Sequence, residues 1–189
     1  MEQILFGAPV AEQLDEISKN AFQKHSKDNE KPHLTAITVG DNPASLLYVT
    51  RKQEKALDLG VEFNWLKLDS NTSQETLEDV ISTESDSTDG LIIQLPLPTH
   101  LNSENAINCI PHEIDVDGLT SHNLGSLFSD TYNLIPATSL AVLELLNFYN
   151  IKTEDKNIVI AGRSRLVSAP LAKILSSKSY NANVSVIHS

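Results

Sequence analysis

The 189-residue chain has little cysteine, few aromatic residues and few basic residues. Cys109 is the only cysteine, which excludes an intrachain disulfide framework and favours a reducing compartment. Fourteen Lys and Arg against 25 Asp and Glu give a formal net charge of −11, which disfavours binding to nucleic-acid phosphates. No apolar run approaches the ~20 residues of a membrane span, and no signal peptide is recognisable at the start. We expect a cytoplasmic protein that binds neither nucleic acid nor membranes.

Strand and helix periods alternate along the chain. The predicted strands, each short and apolar, cover 34–40, 61–68, 90–94, 157–162 and 183–189. Predicted helices lie around 10–17, 43–59, 72–83, 103–110, 139–149 and 163–177, the third opened by a Thr72–Glu75 capping box. Residues 120–137 show little periodicity. This alternation predicts α/β layers around parallel sheets.

The order of elements predicts an α/β fold with two domains. The first, over 1–138, is expected to be a three-layer α/β domain. The second, over 139–189, offers only strand, helix and strand after residue 150, fewer elements than a doubly wound nucleotide-binding domain has. We therefore expect it to be an incomplete Rossmann-like domain.

The helix opened by Asn42 and Pro43 carries a candidate proton-transfer pair. Tyr48 and Lys52 are four residues apart, so both project from one face, about 6 Å apart along the axis. An amine beside a phenol is suited to move a proton. A surface lysine beside a half-buried tyrosine has the same spacing, and the pair alone does not decide between the two interpretations.

Two further candidates, an amide and a pair of carboxylates, lie at the end of the strand at 90–94 and in the segment after it. Gln94 ends that strand, at the edge where open parallel sheets bind ligands, and its amide can orient an amine and a carbonyl together or simply bond a loop backbone. Asp115 and Asp117 alternate sides of the DVDG segment, which lacks the remaining oxygen ligands of an EF-hand. One carboxylate can pair with the edge of a heterocycle, or the segment is an Asp-rich turn.

The segment AGRSRLVSAP, 161–170, joins a predicted strand to a predicted helix, a turn that aims backbone N–H groups at an anion. Gly162, Arg163 and Ser164 are its candidate phosphate-binding residues, although no complete GxGxxG is present. Ser189 ends the next strand, where NAD-binding sheets commonly offer an acid to the ribose. Because no acid stands there, NADP is favoured over NAD. The histidines show no metal-binding spacing, so no metal site is predicted.

Four segments in order carry a resemblance that none of them carries alone: VGDNPASLLYVTRK (39–52), DGLIIQLPLP (89–98), INCIPHEIDVDGL (107–119) and IVIAGRSRLVSAP (158–170). Together they resemble the bifunctional methylenetetrahydrofolate dehydrogenase/cyclohydrolase family, and the likeness runs from near residue 5 to the last residue. The resemblance implies a homodimer that oxidises 5,10-methylenetetrahydrofolate with NADP, less often NAD, and hydrolyses the methenyl product to 10-formyltetrahydrofolate. It assigns folate binding and catalysis to 1–138 and NAD(P) binding to 139–189.

The resemblance also implies roles for individual residues. Lys52 would be the central catalytic residue, with Tyr48 stacking on or bonding the folate and Gln94 orienting Lys52. Asp117 would bond the pterin ring, so Tyr48, Gln94 and Asp117 would serve both substrate binding and catalysis. The residues facing the cofactor would be Gly162, Arg163, Ser164 and Ser189.

The sequence departs from the family's pattern at several places. PATS, 136–139, stands where the family has Pro-Cys-Thr-Pro, Ser168 replaces a glycine, and Ile187 stands where a cysteine is usual. The family's glycine-rich PGGVGP segment is not in the sequence. The alternative interpretation is therefore a truncated or divergent relative that binds folate without dehydrogenase activity.

Overall fold

The computed structural model describes residues 3–25 and 31–189. Backbone contacts divide the chain into two compact units. One unit is Leu14–Val116, and the other joins the amino-terminal residues up to Gln13 to Asp117–Ser189. The first helix, α1 (Ala8–His25), runs through the point of division.

The Leu14–Val116 unit is built on a parallel three-stranded sheet with the order β2-β1-β3. In register, Val39 lies opposite Leu68 on one side of β1, and Ile37 lies opposite Ile93 on the other side. The elements after α1 are β1 (His33–Val39), α2 (Pro43–Asp58), β2 (Glu62–Leu68), α3 (Gln74–Ser85), β3 (Gly90–Ile93) and α4 (Ser103–Asn108).

Both faces of the central strand β1 are covered. Ile37 and Val39 belong to a buried cluster with Leu77 of α3. Ala36, on the opposite face, packs with Val49 of α2. Since successive side chains of a strand point to opposite faces, this pattern makes helix, sheet and helix three layers, as predicted.

Side-chain caps fix where the helices begin. The Asn42 side-chain oxygen accepts from the N–H groups of the first turn of α2 at 3.0 and 3.2 Å, and Pro43 follows it, as predicted. The predicted Thr72–Glu75 capping box is wrong by one residue, because Ser73 Oγ accepts from the Thr76 N–H at 3.1 Å. The Thr72 hydroxyl instead donates to the Asp69 carbonyl at 2.7 Å and closes the preceding turn.

The second unit contains a two-stranded parallel sheet, β4 with β5. Its elements are α5 (Ser121–Phe128), α6 (Ala137–Phe148), β4 (Asn157–Ala161), α7 (Ser168–Leu175) and β5 (Asn183–Ile187). Buried residues of α5, α6, α7 and β4 form one core, with Leu127, Leu143, Ile160 and Ile174 among them. Helix α5 lies in the stretch for which the sequence predicted no element. Helix α7 begins at Ser168, five residues later than predicted.

No helix within residues 3–25 and 31–189 has both the length and the apolar composition needed to cross a bilayer. The same residues bring no group of three or more His, Cys, Asp or Glu side chains together as a metal site.

Candidate active site

Helix α2 places Tyr48 and Lys52 along one cavity of about 550 Å³ in the Leu14–Val116 unit. The two residues are one helical turn apart, so they share the face that borders this cavity. Tyr48 is 59% exposed and Lys52 is half-buried. The predicted pair therefore faces a space large enough for a small molecule rather than the protein core.

The rest of the cavity wall is mainly apolar, with cationic side chains along α2. The apolar lining residues are Phe22, Pro32, Leu34, Ala56, Leu59, Val61, Ile92 and Val116. Arg51 and Lys55 line the same cavity as Lys52. Lys55 Nζ lies 2.7 Å from Asp15 Oδ2 of α1, and this hydrogen bond raises the pKa of the Lys55 ammonium group.

Gln94 follows β3 directly, and its side chain bonds the neighbouring loop backbone, one of the two interpretations that the sequence left open. Its backbone N–H donates to the Ile37 carbonyl at 2.9 Å and extends the ladder by one bond. Its side-chain Nε2 donates to the neighbouring Leu95 carbonyl at 2.9 Å. Its Oε1 is buried, and no described residue donates to it. An unpaired buried acceptor costs about 1–3 kcal/mol, so this oxygen is available to a donor such as an ammonium group.

The two acidic residues of the DVDG segment have different surroundings. Asp115 is 1% exposed, and its backbone forms a parallel bridge with Leu91 of β3. Asp117 is half-buried and belongs to the second unit. Gly118 has a φ of +67°, and a Cβ there would lie 3.1 Å from the backbone nitrogen of Pro136. The turn after Asp117 therefore requires glycine, both for its conformation and for its contact with residue 136.

The predicted cofactor-binding residues meet at one edge of the β4–β5 sheet. Ala161 pairs with Ile187, so Gly162 and Ser189 both follow the carboxyl ends of these parallel strands. The Gly162 N–H donates to the Ile187 carbonyl at 2.7 Å. Arg163, Ser164 and Ser189 are exposed. The sheet edge therefore presents a guanidinium group and two hydroxyl groups to solvent.

The turn between β4 and α7 is closed by its own side chains. Ser164 Oγ accepts from the Val167 N–H at 3.2 Å, which explains why α7 begins only at Ser168. Gly162 has a φ of +136°, and a Cβ there would lie 2.6 Å from Ser168 Oγ. The buried Ser168 side chain thus occupies the space beside Gly162, at the position where the family's pattern has a second glycine.

Sequence reasoning missed two residues of these sites. Arg51 lines the cavity, and its position three residues after Tyr48 was a usable signal because i and i+3 share a helix face. Ser139 is fully buried and donates to the carbonyl of Val167 at 3.0 Å. No signal in the sequence indicated this contact, because 28 residues separate the two partners.

Comparisons with known proteins agree along the whole chain. The family model described as tetrahydrofolate dehydrogenase/cyclohydrolase, catalytic domain, matches residues 5–117, and the NAD(P)-binding domain of the same family matches residues 136–189. The bifunctional protein FolD of Salinibacter ruber is 38% identical over 188 residues, which are 98% of this chain and 63% of that protein. FolD of Streptococcus equi subsp. equi is 36% identical over 192 residues, covering 100% of this chain and 67% of that protein.

Solved structures give the same result. The bifunctional FolD enzyme of Campylobacter jejuni has a TM-score of 0.94 at 34% identity, with 98% of this chain and 66% of that chain covered. The Trypanosoma brucei FolD, solved with NADP and an inhibitor, has a TM-score of 0.91 at 28% identity, with 100% and 65% covered. The chain thus spans about two thirds of the length of these relatives. Both family models match in order and confirm the resemblance seen in the motifs, and the chain belongs to the tetrahydrofolate dehydrogenase/cyclohydrolase family.

Proposed function

We propose that the chain provides the folate site and part of the cofactor site of a bifunctional enzyme of one-carbon metabolism. The enzyme oxidises 5,10-methylenetetrahydrofolate with NADP and hydrolyses the methenyl product to 10-formyltetrahydrofolate. The observation that carries this proposal is the shared cavity of Tyr48 and Lys52 in a chain of this family. In this proposal residues 1–138 form the folate-binding catalytic domain and residues 139–189 form part of the NAD(P)-binding domain.

Hydrolysis of the methenyl group requires a proton to move as water attacks a cationic carbon. Lys52 performs this transfer, because it is an amine that lines the cavity one helical turn from Tyr48. Gln94 Oε1 accepts a hydrogen bond from the Lys52 amine and holds it in place, which leaves the nitrogen lone pair for the proton that the attacking water loses. Tyr48 contacts the flat rings of the folate, and its exposed phenol supports this role. Asp117 bonds the pterin.

The residues at the β4–β5 edge suit a phosphate-bearing dinucleotide. Arg163, Ser164 and Ser189 are exposed there, and no Asp or Glu occurs in 157–171 or 183–189 to repel a phosphate. NADP, when bound, supplies the acceptor for the hydride. The role of this chain's residues is to align the one-carbon bridge with that acceptor, since hydride transfer tolerates little misplacement of the two reacting carbons. We therefore expect the 189-residue chain by itself to oxidise methylenetetrahydrofolate slowly or not at all.

The proposal extends to the cellular location, the oligomeric state and the use of the product. The single cysteine and the acidic composition favour a cytoplasmic location. The family resemblance favours a homodimer. The 10-formyl product would serve reactions that consume one-carbon units, purine biosynthesis among them.

The decisive experiment replaces Lys52 by methionine, which keeps the length of the side chain but cannot carry a proton. Lys52→Met should lower the rate of methenyltetrahydrofolate hydrolysis ~100- to 10,000-fold while leaving tetrahydrofolate binding within about threefold. Lys19→Met is the matched control, because Lys19 is a half-buried residue of α1, as Lys52 is of α2, and its partner is Asp58 at 3.1 Å. Hydrolysis by Lys52→Met at the unaltered rate would show that another group moves the proton.

A further inference from the structure

Four side chains on one face of α2 line the cavity, and three of them are cationic. Tyr48, Arg51, Lys52 and Lys55 follow the i, i+3, i+4 and i+7 spacing of a single helix face. The proposed function uses Tyr48 and Lys52 and gives no task to Arg51. Ligand cavities are mainly apolar and carry a small number of polar or charged groups that fix the orientation of the ligand, and the guanidinium group of Arg51 is placed to be one of them.

The other charged groups along this wall already have partners. Lys55 Nζ is 2.7 Å from Asp15 Oδ2. Asp89 is the acidic residue that lines the cavity, and its Oδ2 accepts from the backbone N–H of His33 at 2.8 Å. Within residues 3–25 and 31–189, no carboxylate lies within ion-pair distance of the Arg51 guanidinium group. Arg51 therefore lines the cavity as a cation that the described part of the chain does not neutralise.

We propose that Arg51 binds a carboxylate of the glutamyl tail of the folate and so selects anionic folates. This inference rests on the proposed function. A folate has a heterocycle, an aromatic ring and a glutamate in series, and Arg51 lines the same cavity on the same helix face as Tyr48 and Lys52. Tyr48 and Lys52 meet the ring system, and the apolar wall meets the aromatic ring. Arg51 receives the carboxylate through its planar fork of N–H donors, for which carboxylates are the preferred partners.

The charge of the protein strengthens this assignment. With a formal net charge of −11, the molecule as a whole repels a dianionic ligand. Binding of such a ligand therefore requires a local cation that is not already neutralised. As far as residues 3–25 and 31–189 are concerned, Arg51 meets this requirement on the wall that also carries the proposed catalytic pair, whereas Lys55 is committed to Asp15.

The experiment measures dissociation constants for two ligands that differ only in the charge of the tail. The ligands are tetrahydrofolate and its glutamate dimethyl ester, titrated into the unaltered chain, Arg51→Gln, Arg51→Lys and Lys55→Gln. Arg51→Gln should weaken tetrahydrofolate binding about tenfold, as expected for loss of a charge-assisted hydrogen bond, and change diester binding less than about twofold. Arg51→Lys should restore part of the affinity for the diacid. Lys55→Gln removes the same charge from the same helix and should affect both ligands equally.

The possible failures can be told apart. If Arg51→Gln weakens binding of both ligands equally, or of neither, the Arg51 assignment is wrong while the proposed folate site stands. The same conclusion follows if Lys55→Gln reproduces the selective loss of the diacid, because the effect would then be one of overall charge. If neither ligand binds the unaltered chain, the Arg51 assignment and the proposed function fail together.

Discussion

The hydroxyl group of Ser139 donates a hydrogen bond of 3.0 Å to the backbone carbonyl of Val167. Ser139 is fully buried in the first turn of α6, and Val167 immediately precedes α7. The next residue, Ser168, is buried against Gly162. Ser139 stands where the family's pattern has proline, and Ser168 stands where it has glycine. The two departures thus meet at one junction, and a proline at 139 has no hydroxyl to make this bond.

We expect Ser139→Ala to destabilise the second unit by about 0.5–1.5 kcal/mol, because it removes one hydrogen bond while the Val167 carbonyl keeps the one it accepts from the Leu171 N–H at 3.0 Å. The free energy of unfolding in urea, followed by circular dichroism, measures the loss. Thr138→Ala is the matched control, since Thr138 is the preceding residue and is exposed. Equal stability of Ser139→Ala and Thr138→Ala would contradict the importance of this hydrogen bond.

Gly90 supports the apolar wall of the cavity by having no side chain. A Cβ at this position would lie 2.7 Å from Val116 Cγ1 and 3.1 Å from Leu34 Cδ1. Gly90→Ala should therefore cost about 1–3 kcal/mol of unfolding free energy through overpacking. Combining it with Val116→Ala should recover most of that loss, because the clashing methyl group is then absent. Additive losses in the double variant would show that the strain lies elsewhere.

Much of the fold follows from local sequence signals. The apolar run of β1 predicts a strand covered on both faces, and Asn42 followed by Pro43 predicts the first residue of α2. Helix α5 was not predictable in this way, because its sequence SHNLGSLF has few apolar positions and a central glycine. Its stability comes from packing, with Leu127 buried in a core that includes Leu171 and Ile174 of α7.

The candidate site likewise has features that the sequence predicts and features that only the structure shows. The common face of Tyr48 and Lys52 follows from helical geometry, and the structure adds the cavity that they border. The unpartnered Oε1 of Gln94 could not be foreseen, because it depends on the Leu95 carbonyl taking the amide of the same side chain. Contacts between residues far apart in the chain, such as Ser139 with Val167, leave no periodic trace in the sequence.

Cys109 provides a test of the electrostatics around α4. Burial raises the pKa of its thiol, and the charge of Glu78 raises it further. Since only the thiolate reacts, alkylation by iodoacetamide should be slower near neutral pH than for free cysteine, with its midpoint at higher pH. Glu78→Gln should move the midpoint part of the way back. As Cys109 is the only thiol, mass spectrometry of the intact chain reports its reaction directly. A midpoint at or below that of free cysteine would contradict the prediction.

The two acidic residues of DVDG should separate into a ligand-binding residue and a structural residue. Asp117→Ala should weaken tetrahydrofolate binding roughly tenfold or more, because a charged hydrogen bond to a heterocycle is worth about 1.5–3 kcal/mol. NADP binding should change little, since Asp117 precedes the turn at Gly118 and is not one of the residues after β4 or β5.

Asp115 is 1% exposed, so Asp115→Ala should mainly lower the free energy of unfolding. Titration of both variants with tetrahydrofolate and with NADP measures the two affinities, and urea unfolding measures the loss of stability. A larger loss of folate affinity in a fully folded Asp115→Ala than in Asp117→Ala would assign the pterin to Asp115 instead.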